Sequence, residues 1–152
     1  MTTITLRELG EILTHSKESY KPNLLKYENE LDKGTRYVYK IQSTTGGNPS
    51  NGMFTINTPS LETTSLIQVS SNDFYGTSTI SQTATLPGNI VILTRRNDIY
   101  TKAIFKITGR FQVYGYDTRL TAHTLTVAYI TGSKYNPSES YEDFYIEFGR
   151  MD

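Results

Sequence analysis

The chain of 152 residues has no cysteine, which excludes disulfides and thiolate metal sites. It suits a reducing compartment, or an assembly built in one and released later. Excess charge of either sign is also missing. Fifteen basic and fifteen acidic residues cancel, so no broad field draws in a phosphate backbone, and no nucleic-acid partner is expected. Neutrality also removes one guard against self-association. Met1 to Ser16 has acidic residues within its apolar pattern and no uninterrupted hydrophobic stretch of a secretion signal. No apolar run approaches membrane-spanning length, and no Asn-x-Ser/Thr acceptor occurs, because Asn48 and Asn136 precede proline. A soluble chain, intracellular when made and without a membrane partner, is expected.

What is present changes character along the chain. Thr5 to Lys33 is dominated by Leu, Glu, Lys and Asn, whereas from Thr35 onward Thr, Ser, Ile, Val, Tyr and Phe prevail. Thr5 and Glu8 have capping-box spacing, and Leu6, Leu9, Ile12 and Leu13 then share one helical face, weakened by Gly10. Pro22 suits a first helical position for a second helix carrying Leu24, Leu25, Tyr27 and Leu31, with Gly34 as its stop. Neither helix is long enough to stand alone. Residues 1–34 are therefore expected to form a short α-helical segment that either packs on the rest or serves as an attachment arm, with Leu6, Leu9, Ile12 and Leu13 as docking candidates.

From residue 35 to 152 the pattern alternates. Tyr37, Tyr39 and Ile41 share a face, as do Phe54 and Ile56, and Leu66 to Val69 is a more continuous run. Ile90 and Ile92 oppose Val91 and Leu93, as in a strand buried on both sides. Ala103, Phe105 and Ile107 alternate with Ile104 and Lys106, and Leu125, Val127 and Tyr129 with threonines and Ala128. Phe111 and Val113 suggest one more strand, and Phe144, Ile146 and Phe148 close the series. Gly46-Gly47-Asn48-Pro49, Asn51-Gly52, Pro87-Gly88, Asn97-Asp98 and Thr131-Gly132-Ser133 punctuate these runs. Many short strands with regular turns predict a β-sandwich or barrel, and the preferred reading is an all-β, jelly-roll-like sandwich.

Residues suited to catalysis are sparse. The two histidines, His15 and His123, show no metal-ligand spacing, and His123 reads as a partly exposed structural histidine. There is no Gly-x-Ser-x-Gly elbow for a triad. Glu139, Glu142, Asp143 and Glu147 lie near one strand, and a second, facing carboxylate for glycosidase chemistry is not indicated. They read as a solvated, charged strand edge. The glycine-rich stretch Thr44 to Gly52 lacks the Lys-Ser/Thr of a phosphate cradle and reads as a long connection of a kind that often carries contacts. No enzyme activity, cofactor or metal is expected.

Two groups suit recognition. Arg95 and Arg96 form a polar tip that could grip an acidic glycan or phosphate, although Asp98 can partly neutralise it. Twelve tyrosines occur and no tryptophan. Tyr114 and Tyr116 flank Gly115 in an expected loop, and Tyr100, Tyr135, Tyr141 and Tyr145 lie in or beside loops and edges. A tyrosine offers a flat apolar face and a hydroxyl, so these residues read first as subunit interface and second as ligand platform.

One resemblance spans roughly residues 44 to 148. It rests on Phe54-x-Ile56, then Leu66-Ile67-x-Val69-Ser70 followed by Asp73 and Gly76, then Pro87-Gly88-Asn89-Ile90-Val91-Ile92. Tyr100 leads into Phe105-x-Ile107-Thr108-Gly109, Leu125-x-Val127-x-Tyr129 runs to Gly132-Ser133, and Phe144 to Phe148 closes the module. This order resembles the short β-sandwich modules in virion proteins of tailed bacteriophages and other large DNA viruses, especially tail or head fibres and capsid decoration proteins. The resemblance implies a non-enzymatic structural protein, commonly a homotrimer, made in the host cytoplasm and placed in the virion among other virion proteins. It supplies no receptor-binding residue. The alternative expectation is a carbohydrate-binding, lectin-like adhesion module, and a fibre that binds a host glycan would satisfy both.

Overall fold

The computed structural model describes residues 36–76, 79–137 and 141–150. The two expected N-terminal helices, with Leu6, Leu9, Ile12 and Leu13, lie outside the described residues. Seven strands follow in chain order: β1 (Arg36–Ser43), β2 (Met53–Ile56), β3 (Leu66–Ser70), β4 (Asn89–Arg95), β5 (Lys102–Tyr114), β6 (Leu120–Gly132) and β7 (Asp143–Arg150). Among the described residues the fold is all-β apart from one 3-10 turn, as the alternation predicts.

It is not a sandwich. The strands close into one barrel in the order β1-β2-β3-β6-β5-β4-β7, with β7 returning to β1. Period-two alternation shows only that one face of each strand is buried, which stacked sheets and a closed sheet satisfy equally. Closure depends on pairing the first strand with the last, and Tyr39 stands opposite Phe144 in that ladder. Local pattern carries no trace of such a pairing.

The barrel is filled by side chains. Tyr39, Ile41, Phe54, Ile56, Ile67, Val69, Val91, Leu93, Phe105, Leu125, Phe144 and Ile146 all belong to one buried cluster. Leu61, from a 3-10 turn at Leu61–Thr63, and Ile80 complete it from connecting segments. Phe54 and Phe144 meet edge to face at 5.4 Å. The Tyr39 hydroxyl donates to the Ser70 carbonyl at 2.6 Å, and burial pushes its pKa well above the usual phenol range.

β4 is buried on both faces, as Ile90 and Ile92 against Val91 and Leu93 predict. Ile90, Ile92 and Ile104 are at most 3% exposed yet stand outside the interior cluster. Ile92 pairs with Ile104 on one side and Glu147 on the other, which places all three on the outer face.

β1 and β2 run parallel, the one parallel pair among the described strands. Residues 44–52 make the crossover and fold back over β2. Gly46 N donates to the Ile56 carbonyl at 2.9 Å, and the Thr55 hydroxyl donates to the Gly47 carbonyl at 2.8 Å. The glycine-rich stretch thereby becomes the lid that buries Thr55 on the outer face. At its end Gly52 has φ +77°, and a Cβ there would lie 2.7 Å from the Phe74 Cα. Only glycine fits.

Phe111 and Val113 form no separate strand. They continue β5 past a register shift between Ile107 and Gly109, so β5 and β6 make one long hairpin. The shift reverses which residues face outward, which breaks the simple alternation and imitates a strand boundary.

Candidate functional site

The expected site residues divide between the two ends of β5. Arg95 closes β4 and Arg96 opens the turn to β5, whereas Tyr114 closes β5 and Tyr116 lies in the turn to β6. Thirteen residues of strand separate the ends, roughly 40 Å at an ordinary strand rise. They cannot form one site.

Around Arg95 and Arg96 the positive charge is consumed locally. Arg95 Nε donates to Glu142 Oε1, and the Tyr135 hydroxyl lies 2.8 and 2.9 Å from the two oxygens of the same carboxylate. That pairing raises the Arg95 pKa, while burial and then the bond to Glu142 raise that of Tyr135. Arg96 Nη1 donates to the Tyr75 hydroxyl at 3.0 Å and lies 3.6 Å from Asp143. The bond to Tyr75 raises its pKa. Lys40 Nζ donates to Asp143 at 2.6 Å and sits 4.8 Å from the Phe74 ring centroid. Arg36 lies 3.5 Å from Glu147 and 4.4 Å from the Tyr145 ring centroid.

Four cations thus face three carboxylates and four rings at the β1-β7-β4 end. Asp98, the expected partly neutralising partner, adds only a minor charge interaction with Arg95, and it accepts from Tyr100 N and the Thr101 hydroxyl to shape the turn. Two of the four carboxylates expected on a solvated edge depart from it, whereas Asp143 stays partly exposed and Glu139 lies outside the described residues. Glu147 is 2% exposed, and the Glu142 side chain is 9% exposed. Tyr135, read from sequence as an interface or platform tyrosine, instead bonds Glu142, and Lys40 was not singled out because no local spacing joins it to Asp143. This cluster is chemically saturated, so it suits holding strands together better than gripping an incoming anion.

The other end is open. Tyr116 is fully exposed, Tyr114 is 54% exposed and Phe111 is 69% exposed. Gly115 N donates to the Arg119 carbonyl at 2.8 Å, closing the turn in which Thr118 takes φ 62°. Beside this turn lies a cleft of about 340 Å3, lined by Pro49, Asn51, Ser70, Ser71, Asn72, Arg119, Leu120 and Thr121. Two features of the sequence meet there, the Gly-Asn connection and the loop carrying Tyr116. Arg119 and Asn72 escape sequence reading because each looks like an ordinary turn residue.

The cleft has unused bonding capacity. Asn51 Oδ1 accepts from the Ser70 hydroxyl and from Asn72 Nδ2, both at 3.4 Å. Its own amide nitrogen donates to no described residue. Arg119 is paired only loosely with Asp117 at 3.7 Å, and its side chain is 81% exposed. No acidic residue lines the cleft.

His123 is not partly exposed. It is completely buried, opposite Val69 in β3 and Gln112 in β5. Burial and, after it, the charge of Arg110 lower its pKa to about 4. Among the described residues no group of three His, Asp or Glu side chains is placed to hold a metal ion, and no helix is long and apolar enough to cross a membrane. No family model, curated protein or solved structure matches the chain.

Proposed function

We propose that the chain is a non-enzymatic structural subunit of a virion, of the fibre or decoration class, and that it assembles with its own copies and other virion proteins. The observation that carries the assembly part is the exposure of three aromatics near the end of the long hairpin, Phe111, Tyr114 and Tyr116. Exposed aromatics grouped on one element are typical anchors of subunit contact. The fibre or decoration assignment rests on the order of β motifs between residues 44 and 148. Leu6, Leu9, Ile12 and Leu13 remain the docking candidates for attachment to the particle.

Light scattering after size exclusion tests the reading on the full chain. A stable trimer that Phe111→Ser or Tyr114→Ser converts to monomer supports it. A wild-type monomer at every concentration, combined with no binding to particles, overturns it.

A second reading is a glycan-binding adhesion module. The polar cleft beside Tyr116 favours it, because sugars are recognised by amides, hydroxyls and an aromatic face together. A glycan array with the intact chain tests it, and silence across the array removes it.

A further inference from the structure

We propose that the cleft between residues 49–51, 70–72 and 119–121 binds a saccharide bearing a carboxylate, with Arg119 engaging the acid and Asn51 and Asn72 engaging ring hydroxyls. This rests on the glycan-binding reading and adds a location and a ligand class to it.

Three observations carry it. First, the size is right. A volume of about 340 Å3 falls at the small end of ligand pockets, suited to one or two sugar units. Second, the lining carries one charge, and it is positive. Arg119 is the single ionisable residue among the eight that line the cleft. Asp117 lies outside that lining at 3.7 Å from Arg119 Nε, with its own side chain 64% exposed, so solvent screens the pair and a carboxylate can compete for the guanidinium. Arg95 and Arg96, by contrast, already face Glu142 and Asp143. Third, the amides are preset. The bonds from Ser70 and Asn72 to Asn51 Oδ1 orient that amide and leave its nitrogen as a donor. Thr79 donates to Asn72 Oδ1 at 3.0 Å and fixes the second amide in the same way.

The backbone holds these groups in place. Ser71 N donates to the Thr121 carbonyl at 2.9 Å, and the Ser71 hydroxyl donates to the Leu120 carbonyl at 3.0 Å. The two walls are thus bonded to each other, and the third ends at Gly52, which packs closely against the Phe74 backbone. The walls need little ordering by the ligand, whereas the exposed Arg119 side chain is left to order on binding. Tyr116 belongs to the same turn as Arg119 and supplies an exposed ring within the same short segment.

The test is an NMR titration of the full chain with 3′-sialyllactose, lactose, digalacturonate and inorganic phosphate. Expected are shifts of the Asn51 and Asn72 side-chain amides and of Arg119 Nε with at least one acidic sugar, and binding at least tenfold weaker in Arg119→Gln. Lactose binding as tightly as 3′-sialyllactose would overturn the carboxylate assignment, and equal shifts with phosphate alone would overturn the saccharide. Shifts confined to other residues would overturn the location while leaving glycan binding intact. No response to any sugar here, together with a silent array, would remove both.

Discussion

Gln112 and His123 stand opposite each other in the β5-β6 ladder, and each holds buried side-chain nitrogen with no hydrogen-bond partner among the described residues. An imidazole so placed is kept neutral, because the charged form finds neither water nor a carboxylate, and Arg110 opposes it further.

Acid should therefore destabilise the fold before the carboxylates titrate. The folded pKa of His123, about 4, lies below the value of 6.5 usual for the unfolded chain. Its contribution is complete above pH 6.5 and is lost as pH falls from there towards 4, since only the unfolded chain takes up the proton. Urea unfolding at pH 7.5 and pH 5 should differ by about 2 kcal/mol from this group. In His123→Leu that difference should largely vanish, and an unchanged pH dependence would show that the imidazole is not its source.

Two glycines of the crossover should respond differently to the same change. Gly46 and Gly52 both have positive φ, but a Cβ meets nothing within 4 Å at Gly46 and the Phe74 backbone at Gly52. Gly46→Ala should cost about 1 kcal/mol, the usual strain of that conformation. Gly52→Ala should cost about 3 kcal/mol or more, because backbone must move as well. Unfolding midpoints of the two variants give the comparison directly.

Glu142→Gln should lower stability by about 1–3 kcal/mol, since it weakens charged hydrogen bonds to Arg95 and Tyr135 at a side chain only 9% exposed. Asp117→Asn should change stability by less than about 0.5 kcal/mol, because its pair with Arg119 is loose and solvated. Thermal melts should place the two variants clearly apart, at about 2–4 °C per kcal/mol for a chain of this size.

The outward isoleucines should behave as core. Ile104→Ala should cost about 2–5 kcal/mol, as for a fully buried aliphatic. Lys106→Ala, two residues on along the same outer row and exposed, should be nearly neutral. Equal effects in denaturant titrations would mean that the outer face of β4 and β5 contributes no packing energy.

Strand identity was legible wherever alternation was regular, and the inward sets Tyr37-Tyr39-Ile41 and Phe144-Ile146-Phe148 read off directly. So did the two-sided burial of β4, because four consecutive apolar residues leave no polar face. Legibility failed where partners were distant. Nothing near Tyr39 indicates Phe144, so closure was invisible and the sandwich was wrongly preferred. Nothing near Arg95 indicates Glu142, so only Asp98, close in sequence, was read as its partner. His123 looked half-exposed because a single histidine among threonines gives no sign of facing inward. The bulge at Gly109 shifted the phase and made β5 look like two strands. The cleft was half visible, in the Gly-Asn connection and Tyr116, while Arg119 and Asn72 acquire meaning only from their juxtaposition.

The placement of β7 between β1 and β4 also governs how the chain reaches its fold. Lys40 and Asp143, bonded across the β1-β7 seam, are 103 residues apart in sequence. The ring cannot shut until the last strand is available, so the ends of the sheet stay open for as long as synthesis of the stretch between them takes. Topologies dominated by such distant pairings fold slowly, and unshut strand edges invite pairing with other chains. A ribosome-bound chain stalled before Asp143 would thus expose the β1 and β4 edges that the finished barrel covers.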